Sequence, residues 1–282
     1  MSPYVLDVPG RVLRLLAKRG AAVEREMERY LPRTGSGGGL FRAMRYSVFA
    51  GGKRVRPFLV LEAARMCGGN DRRAMPLACA VEMIHTYSLI HDDLPAMDDD
   101  AMRRGKPSCH KKFGEAAAIL AGDALLTLAF EVMADAGGTP PERRTRAVGL
   151  VSQAVGPRGM VEGQALDLAQ KNADVSLPLL ERINRRKTGC LIAVCLEAGS
   201  VWGGGSAAEA ADLRRYGEAI GFLFQVVDDI IDREGYARVL GGEGAYEKAS
   251  ALKEEAKRYL GRFGKRADML RDFADYLYDR SQ

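Results

Sequence analysis

Residues 84–98, IHTYSLIHDDLPAMD, and residues 222–232, FLFQVVDDIID, each place closely spaced aspartates at the end of a strongly apolar segment. Carboxylates in such surroundings repel one another and lose hydration unless a cation or a hydrogen-bond donor compensates them. Magnesium ions that carry a phosphate-containing ligand meet both needs, because Mg²⁺ prefers oxygen ligands and brings positive charge. We therefore interpret the two aspartate clusters as two walls of one cavity.

The second aspartate cluster has a helical spacing. If residues 222–232 form a helix, one face carries a polar stripe at i, i+3 or i+4, and i+7, formed by Gln225, Asp228 or Asp229, and Asp232. The alternative is a solvated acidic loop or helix end, which is the usual context of aspartate runs. Two such clusters, each following an apolar helix, favour the metal-diphosphate interpretation.

The first aspartate cluster also follows residues with a helical spacing. His85, Ser88 and Asp92 share one helix face, and Pro95 is expected to end or kink that helix. The cluster therefore belongs to the end of a helix, with its last aspartate beyond the proline.

Helical periodicity extends along the whole chain, and no stretch shows the sustained alternation of a β-strand. Because 47% of the residues are apolar and the only flexible-looking run, 35–39, lies near the N-terminus, we predict one all-α domain over residues 1–282. Glycine- and proline-rich breaks separate the predicted helices. These helices run over 9–31, 40–66, 72–94, 113–135, 141–170, 177–202, 206–233, 243–261 and 265–280.

Composition and charge exclude several classes of protein. The net charge is only +5, and the short basic clusters lack interleaved aromatic residues, so nucleic-acid binding is not expected. Five cysteines without a Cys-x-x-Cys pair, and the lack of a signal segment, indicate a cytoplasmic protein. The apolar stretch 116–130 is interrupted by Asp123 and is too short to cross a bilayer, so we expect no membrane span.

Three polar residues interrupt apolar helices. Asp123 is expected to be buried and to need a partner such as arginine, a backbone donor or a metal-bound water. Gln164 and Asp167 form a similar interruption near the middle of the chain. The alternative for each is an ordinary hydrogen bond within the core.

Basic residues cluster at 53–56, 103–106 and 185–187. Taken singly, each is most simply a surface residue whose exposed ion pairs add little stability. Beside carboxylate clusters that call for a phosphate ligand, we interpret Lys53, Arg56 and Arg104 as anion-binding residues. Arg54 and Lys106 are expected at the surface.

The chain resembles the short-chain trans-polyprenyl diphosphate synthases, most closely the bacterial-type farnesyl diphosphate synthases, over about residues 40–235. The segments that carry the resemblance are 51–57 (GGKRVRP), 84–98, 103–107 (RRGKP), 113–115 (FGE), 121–125 (AGDAL), 163–164 (GQ), 187–189 (KTG) and 221–232. The resemblance implies a helical bundle of the isoprenoid synthase type with a central active-site cavity, usually as a homodimer. It also implies head-to-tail transfer of an allylic prenyl group, from dimethylallyl or geranyl diphosphate, to isopentenyl diphosphate.

The resemblance assigns roles to individual residues. Two to three Mg²⁺ ions would be held by Asp92, Asp93 and Asp98 on one wall and by Asp228, Asp229 and Asp232 on the other. The allylic diphosphate would be bound by Arg103 and Lys187. The isopentenyl diphosphate would be bound by Gly52, Lys53, Arg56, His85 and Arg104. Catalytic dipoles that stabilise the allylic carbocation would come from the backbone carbonyl near Lys187 and from the side-chain oxygens of Thr188 and Gln225.

Product length is expected to depend on Tyr87 and Ser88. Tyr87 precedes Asp92 by five residues, about 7.5 Å along a helix, so its ring could form the floor that stops elongation at farnesyl diphosphate. Pro95-Ala96 also match the bacterial-type farnesyl pattern. The alternatives are a core role for Tyr87, a geranylgeranyl diphosphate synthase, a non-catalytic synthase subunit, and a terpene cyclase, which would not need the basic residues around Lys53 and Arg56.

The segment after Asp232 departs from the resembled family. A long loop is shortened, and the family's further diphosphate-binding lysine has no counterpart that can be aligned. Either Arg238 or Lys248 is expected to substitute, or the third metal site is held less tightly.

Overall fold

The computed structural model describes residues 8–32, 38–170 and 176–280, and most of these are helical. The helices are α1 (Val8–Tyr30), α2 (Gly38–Val48), α3 (Val55–Met66), α4 (Asp71–Asp92), α5 (Cys109–Phe113), α6 (Glu115–Ala134), α7 (Pro141–Val155), α8 (Met160–Ala169), α9 (Leu177–Asn184), α10 (Cys190–Gly203), α11 (Ala207–Asp232), α12 (Gly235–Tyr259) and α13 (Asp268–Asp279). A π-helical turn, Arg185–Gly189, joins α9 to α10, and a 3₁₀ segment, Gly261–Ala267, precedes α13. The predicted all-α class is confirmed. The glycine-rich run at 35–39 lies largely outside the described residues.

Three predicted helices are divided or shifted in the structure. The helix predicted at 40–66 is broken between α2 and α3, where Gly51 and Gly52 have φ of +101° and +120°. The helix predicted at 141–170 is divided into α7 and α8. The helix predicted at 243–261 forms the second part of α12, and the non-helical backbone of Gly241, with a φ of +73°, divides it from a short first part that starts at Gly235. A hairpin of two-residue strands, β1 (Met102–Arg103) and β2 (Lys106–Pro107), was not predicted.

A continuous hydrophobic core fixes the position of α4, because α4 packs against α3, α6 and α10. Burial of one large apolar side chain contributes about 1.5–3 kcal/mol, so these contacts hold the C-terminal half of α4 firmly. The buried side chains in this part of the core include Phe58, Leu61, Leu77, Met83, Ile84 and Leu196. The aspartates that follow α4 therefore extend from a rigid helix.

Helix α6 differs from the sequence interpretation in the length of its apolar segment and in the exposure of Asp123. It spans 20 residues and is apolar enough to cross a membrane by length and composition, yet it packs against α2 and α4, with 39% of its most apolar window buried. A single such helix is weak evidence for a membrane span, because core helices share these properties. Asp123 lies on the outer face of α6 with its side chain 61% exposed, so the expectation of a buried aspartate is wrong.

Candidate active site

The first aspartate cluster begins where α4 ends. Residues after Asp92 form a turn in which the backbone amide of Asp98 donates to the Asp92 carbonyl at 2.9 Å. The helix ends before Pro95, as predicted. Burial raises the pKa of the Asp92 carboxyl to about 6; Asp98 and Asp93 add to this rise, whereas Lys187 opposes it. The turn therefore places Asp92 and Asp98 in one electrostatic environment.

Asp93 has a protein partner. It accepts hydrogen bonds from two nitrogens of Arg103, with Nε at 2.9 Å, and Arg103 also pairs with Asp100 at 2.7 Å. Burial raises the pKa of Asp93, and the hydrogen bond from Arg103 opposes that rise. Arg103 lies in β1, so the unpredicted hairpin is what holds this arginine against the cluster.

The second cluster lies at the C-terminal end of α11, and its predicted helical stripe is confirmed. Asp229 accepts hydrogen bonds from Gln225 Nε2 at 3.0 Å and from the Tyr236 amide at 2.9 Å. Asp228 accepts a hydrogen bond from Arg280 Nη2 at 3.2 Å. Burial raises the pKa of both Asp228 and Asp229.

A cavity of about 280 Å³ opens beside Asp92. Most of its wall is apolar, so it suits a hydrocarbon chain whose polar head lies at Asp92. We call it the apolar cavity; it is lined by Tyr87, Ser88, His91, Asp92, Met97, Met160, Val161, Gln164, Ala165, Leu168 and Lys187. Tyr87 is 7% exposed, and its ring packs edge-on against His91 with centroids 5.7 Å apart.

The π-helical turn supplies the polar side of the apolar cavity. Lys187 Nζ pairs with Asp167 at 2.6 Å, and Thr188 follows it in the turn. A side chain at Gly163 would overlap the backbone of Lys187, so α8 packs directly on the turn. Gln164 has no hydrogen-bond partner among the described residues, although both its amide atoms are buried. A buried amide requires a partner, so Gln164 is available to a ligand.

The predicted anion-binding residues line a second cavity, of about 240 Å³. We call it the basic cavity; its lining includes Gly52, Lys53, Arg56, Glu82, His85, Arg104, Phe224, Tyr276 and Arg280. Three predicted cations therefore line one cavity, although they come from different elements. Lys53 lies in a loop, Arg56 in α3 and Arg104 in the hairpin turn. The structure thus brings these residues together around one cavity.

Local geometry keeps the cations of the basic cavity close together. Gly52 has a φ of +120°, and a Cβ there would lie 2.8 Å from Arg104 Cζ, so glycine is required. Lys53 Nζ donates to Tyr276 Oη at 3.0 Å. Burial lowers the pKa of Arg56 and of Arg104. Burial and these two arginines also lower the pKa of His85 well below its ordinary value, so His85 is neutral at neutral pH.

Arg54 corrects the sequence interpretation. It is 3% exposed, and its guanidinium pairs with Glu82 at 2.6 Å and with Glu24 at 2.9 Å. Its φ of +51° turns the side chain beneath the loop that carries Lys53. Arg54 therefore supports the basic cavity from inside, whereas Lys106 is exposed, as predicted.

Helix α13 brings residues to the site that the sequence interpretation missed. Tyr276 and Arg280 line the basic cavity, and Arg280 also reaches Asp228. The two residues expected to replace the family's further diphosphate-binding lysine have other partners. Lys248 pairs with Glu181 at 3.0 Å, and Arg238 Nε donates to the Arg233 carbonyl. The family resemblance stops near residue 235, so it gave no signal for residues of the last helix.

The two clusters fit magnesium bound together with a phosphate ligand. Within the described residues no three His, Cys, Asp or Glu side chains converge on a ready-made metal site. Such a site is not required, because Mg²⁺ in phosphate-binding enzymes commonly takes one or two carboxylates and completes its shell with phosphate oxygens and water. Burial raises the pKa of the Asp92 and Asp228 carboxyls. A bound cation would stabilise the charged form of these crowded groups.

The chain is similar to several known proteins. The polyprenyl synthetase family matches residues 39–245. The chain is 43% identical to the farnesyl diphosphate synthase of Geobacillus stearothermophilus, over 88% of this chain and 91% of that one. It is 46% identical to a chloroplastic geranylgeranyl pyrophosphate synthase of Capsicum annuum, over 84% and 70% of the respective chains. The crystal structure of an FPP/GFPP synthase from Zymomonas mobilis has a TM-score of 0.91 and 38% identity, covering 96% of this chain and 99% of that one.

Proposed function

The chain belongs to the polyprenyl synthetase family and is a trans-prenyltransferase, and from this premise we propose that it makes farnesyl diphosphate. It joins isopentenyl diphosphate head-to-tail to dimethylallyl diphosphate and then to geranyl diphosphate. The observation that carries the proposal is the apolar cavity beside Asp92, with Tyr87 buried in its wall. The experiment that tests it is measurement of product length from dimethylallyl and isopentenyl diphosphates.

The basic cavity is proposed to bind isopentenyl diphosphate. Lys53, Arg56 and Arg104 supply positive charge and forked donors that suit diphosphate oxygens. His85, which is uncharged, adds a hydrogen-bonding group. Gly52 has no side chain, so Arg104 can approach the loop backbone. The position of this cavity beside α4 supports binding of the second substrate near the first.

The allylic diphosphate is proposed to bind at the aspartate clusters with two to three Mg²⁺ ions. Bound Mg²⁺ would supply Lewis-acid stabilisation of the leaving diphosphate. Asp92 and Asp98 would be ligands from one wall, and Asp228 and Asp232 from the other. Asp93 and Asp229 complete the clusters, and their hydrogen bonds with Arg103 and Gln225 support a positioning role.

Lys187 and Arg103 are proposed to hold the allylic diphosphate. Lys187 would exchange its pairing with Asp167 for a diphosphate oxygen, since the cavity beside it is open to ligand. Arg103 would contact the diphosphate while still orienting Asp93. Both cations then favour charge development on the leaving group.

The apolar cavity is proposed to protect the allylic carbocation together with dipoles from the π-helical turn and from α11. The Thr188 hydroxyl and the Gln225 side-chain oxygen supply dipoles, and Gln225 is oriented because its amide nitrogen donates to Asp229. Apolar side chains exclude water that would capture the cation. The isopentenyl double bond forms the new carbon–carbon bond, and the proton then lost passes to the departing diphosphate, so no protein base is required.

Replacing Arg56 by alanine is expected to raise the KM for isopentenyl diphosphate about ten- to hundredfold, since a charged hydrogen bond contributes about 1.5–3 kcal/mol. The KM for the allylic substrate should remain nearly unchanged. Steady-state kinetics with each substrate varied in turn measures both values. Arg65→Ala, on the same helix but exposed, is the control. Equal effects on the two substrates would show that the cavities are wrongly assigned.

The enzyme is proposed to be a homodimer that associates through the outer face of α6. Ile119 and Leu120 are 44% and 57% exposed there, and adjacent exposed apolar side chains commonly mark an interaction surface. Sedimentation is expected to show a dimer at micromolar concentration, and Leu120→Asp is expected to shift it to monomer. Leu13→Asp, an equally apolar exposed position on α1, should leave the dimer intact. A monomeric wild-type protein would refute the proposal.

We place the enzyme in the cytoplasm, since all five cysteines are free in the structure. Geranylgeranyl diphosphate is the second candidate product, and the identity with the Capsicum annuum enzyme favours it. The intact aspartate clusters argue against a non-catalytic subunit, and the basic cavity argues against a cyclase.

A further inference from the structure

A third cavity, of about 380 Å³, shares no lining residue with either substrate cavity. It is enclosed by α7, the loop at Arg158, the π-helical turn, α10 and α11. Its lining includes Arg158, Arg185, Arg186 and Arg214, opposed by Glu197 and Glu218. Guanidinium groups therefore outnumber carboxylates among the described residues that line it. We call it the side pocket.

The charges of the side pocket are only partly paired. Arg214 Nε donates to Glu218 at 3.0 Å, and its Nη1 lies 3.9 Å from Glu197. Arg186 pairs with Glu162, outside the pocket, at 2.8 Å. The guanidinium groups of Arg158 and Arg185 have no carboxylate partner in the described part of the chain. The positive charge therefore concentrates at the end of the pocket formed by residues 158 and 185–186.

The floor of the side pocket is apolar, and the exposed side chains of Arg158 and Arg185 stand at its rim. Ala193 and Val194 are buried beneath it, and Leu150 and Ala154 of α7 are half-buried at its edge. Forked guanidinium donors above an apolar floor suit phosphate oxygens, and bidentate contacts strengthen such binding. We propose that the side pocket is a second anion site, which binds a diphosphate group separately from the two substrates.

The side pocket shares a wall with the apolar cavity. Lys187 faces the apolar cavity, whereas Arg185, Arg186 and Gly189 of the same π-helical turn line the side pocket. π-Helical turns are rare and frequently occur at functional sites. A diphosphate bound behind the turn would thus contact the segment that positions Lys187. The diphosphate could be free or the head of a prenyl diphosphate.

Cys190 lines the side pocket, so the reactivity of its thiol serves as a probe of whether an anion is bound there. In metal-free buffer with chelator, inorganic diphosphate or geranyl diphosphate is added and the rate of thiol alkylation is followed by peptide mass spectrometry. At ten times its Kd, a bound anion should slow Cys190 alkylation about tenfold, because only the unoccupied fraction reacts. Cys67, half-buried elsewhere, is the internal control and should keep its rate.

The double variant Arg158→Ala/Arg185→Ala should abolish the protection, whereas Arg215→Ala, on α11 but outside the pocket, should retain it. Protection by inorganic diphosphate identifies the free anion as a ligand, and protection by geranyl diphosphate alone identifies the prenyl head group. Unchanged Cys190 alkylation with both anions would overturn the proposal. Protection that persists in the double variant would also overturn it, because the anion would then act from another site.

Discussion

Replacing Asp92 or Asp228 by asparagine is expected to lower turnover about a thousandfold while the helical content stays unchanged. Each variant removes a charged oxygen ligand from one wall of the proposed magnesium-diphosphate site, and several kcal/mol of leaving-group stabilisation corresponds to such a factor. Both carboxyls have raised pKa values because they are buried, so their native surroundings do not fully stabilise the charge. Removing that charge should not destabilise the fold. Turnover with saturating substrates and circular dichroism measure the two effects.

Asp99→Asn is the matched control for these variants. Asp99 directly follows Asp98 in the chain, but its side chain is 59% exposed and its partners are His110 and Lys111. Its φ of +53° is tolerated by asparagine. The control should lose less than about threefold in turnover, as expected of an exposed ion pair of little energetic weight. Near-normal turnover of both Asp92→Asn and Asp228→Asn would contradict the proposed metal site.

Tyr87→Ala is expected to change the main product from fifteen carbons to twenty or more. The Tyr87 side chain is buried in the wall of the apolar cavity, on the helix that carries Asp92. Truncation at Cβ opens space along the direction in which a chain anchored at Asp92 would grow. Products from dimethylallyl and isopentenyl diphosphates, separated by chain length, measure the change.

Tyr259→Ala controls for loss of an aromatic ring as such. Tyr259 lies at the end of α12, donates to Glu255 and does not line either substrate cavity. Its product should match that of the wild type. If Tyr87→Ala still stops at fifteen carbons, Tyr87 does not limit the chain, and another residue of the wall, such as Leu168, must do so.

The aspartate clusters could be predicted from the sequence because their chemistry depends on local spacing. The stripe from Gln225 to Asp232 needs only a helical period, and α11 provides it. The spacing of residues could not predict the shape of the basic cavity, because its ligand-binding candidates lie on three separate segments of the chain. These candidates are Lys53, Arg56, His85 and Arg104. Their proximity was expected only through the family resemblance.

Other features depend on packing that no local pattern records. Arg54 carries the same charge as its neighbours, and only the left-handed backbone at this position turns it inward to Glu82. Asp123 interrupts an apolar helix, but a helix with one packed face can turn such a residue outward. Arg280 reaches Asp228 because α13 folds back against α11, a contact between residues 52 positions apart.

Incubation of the purified protein with dimethylallyl and isopentenyl diphosphates, with Mg²⁺ and with chelator, tests the central claim most directly. The account predicts farnesyl diphosphate as the main product with Mg²⁺ and no condensation with chelator, since the site needs oxygen-bound divalent ions. A main product of twenty carbons would contradict the assigned product length. Undiminished condensation in excess chelator, or no condensation with Mg²⁺ present, would contradict the proposed reaction at the two aspartate clusters.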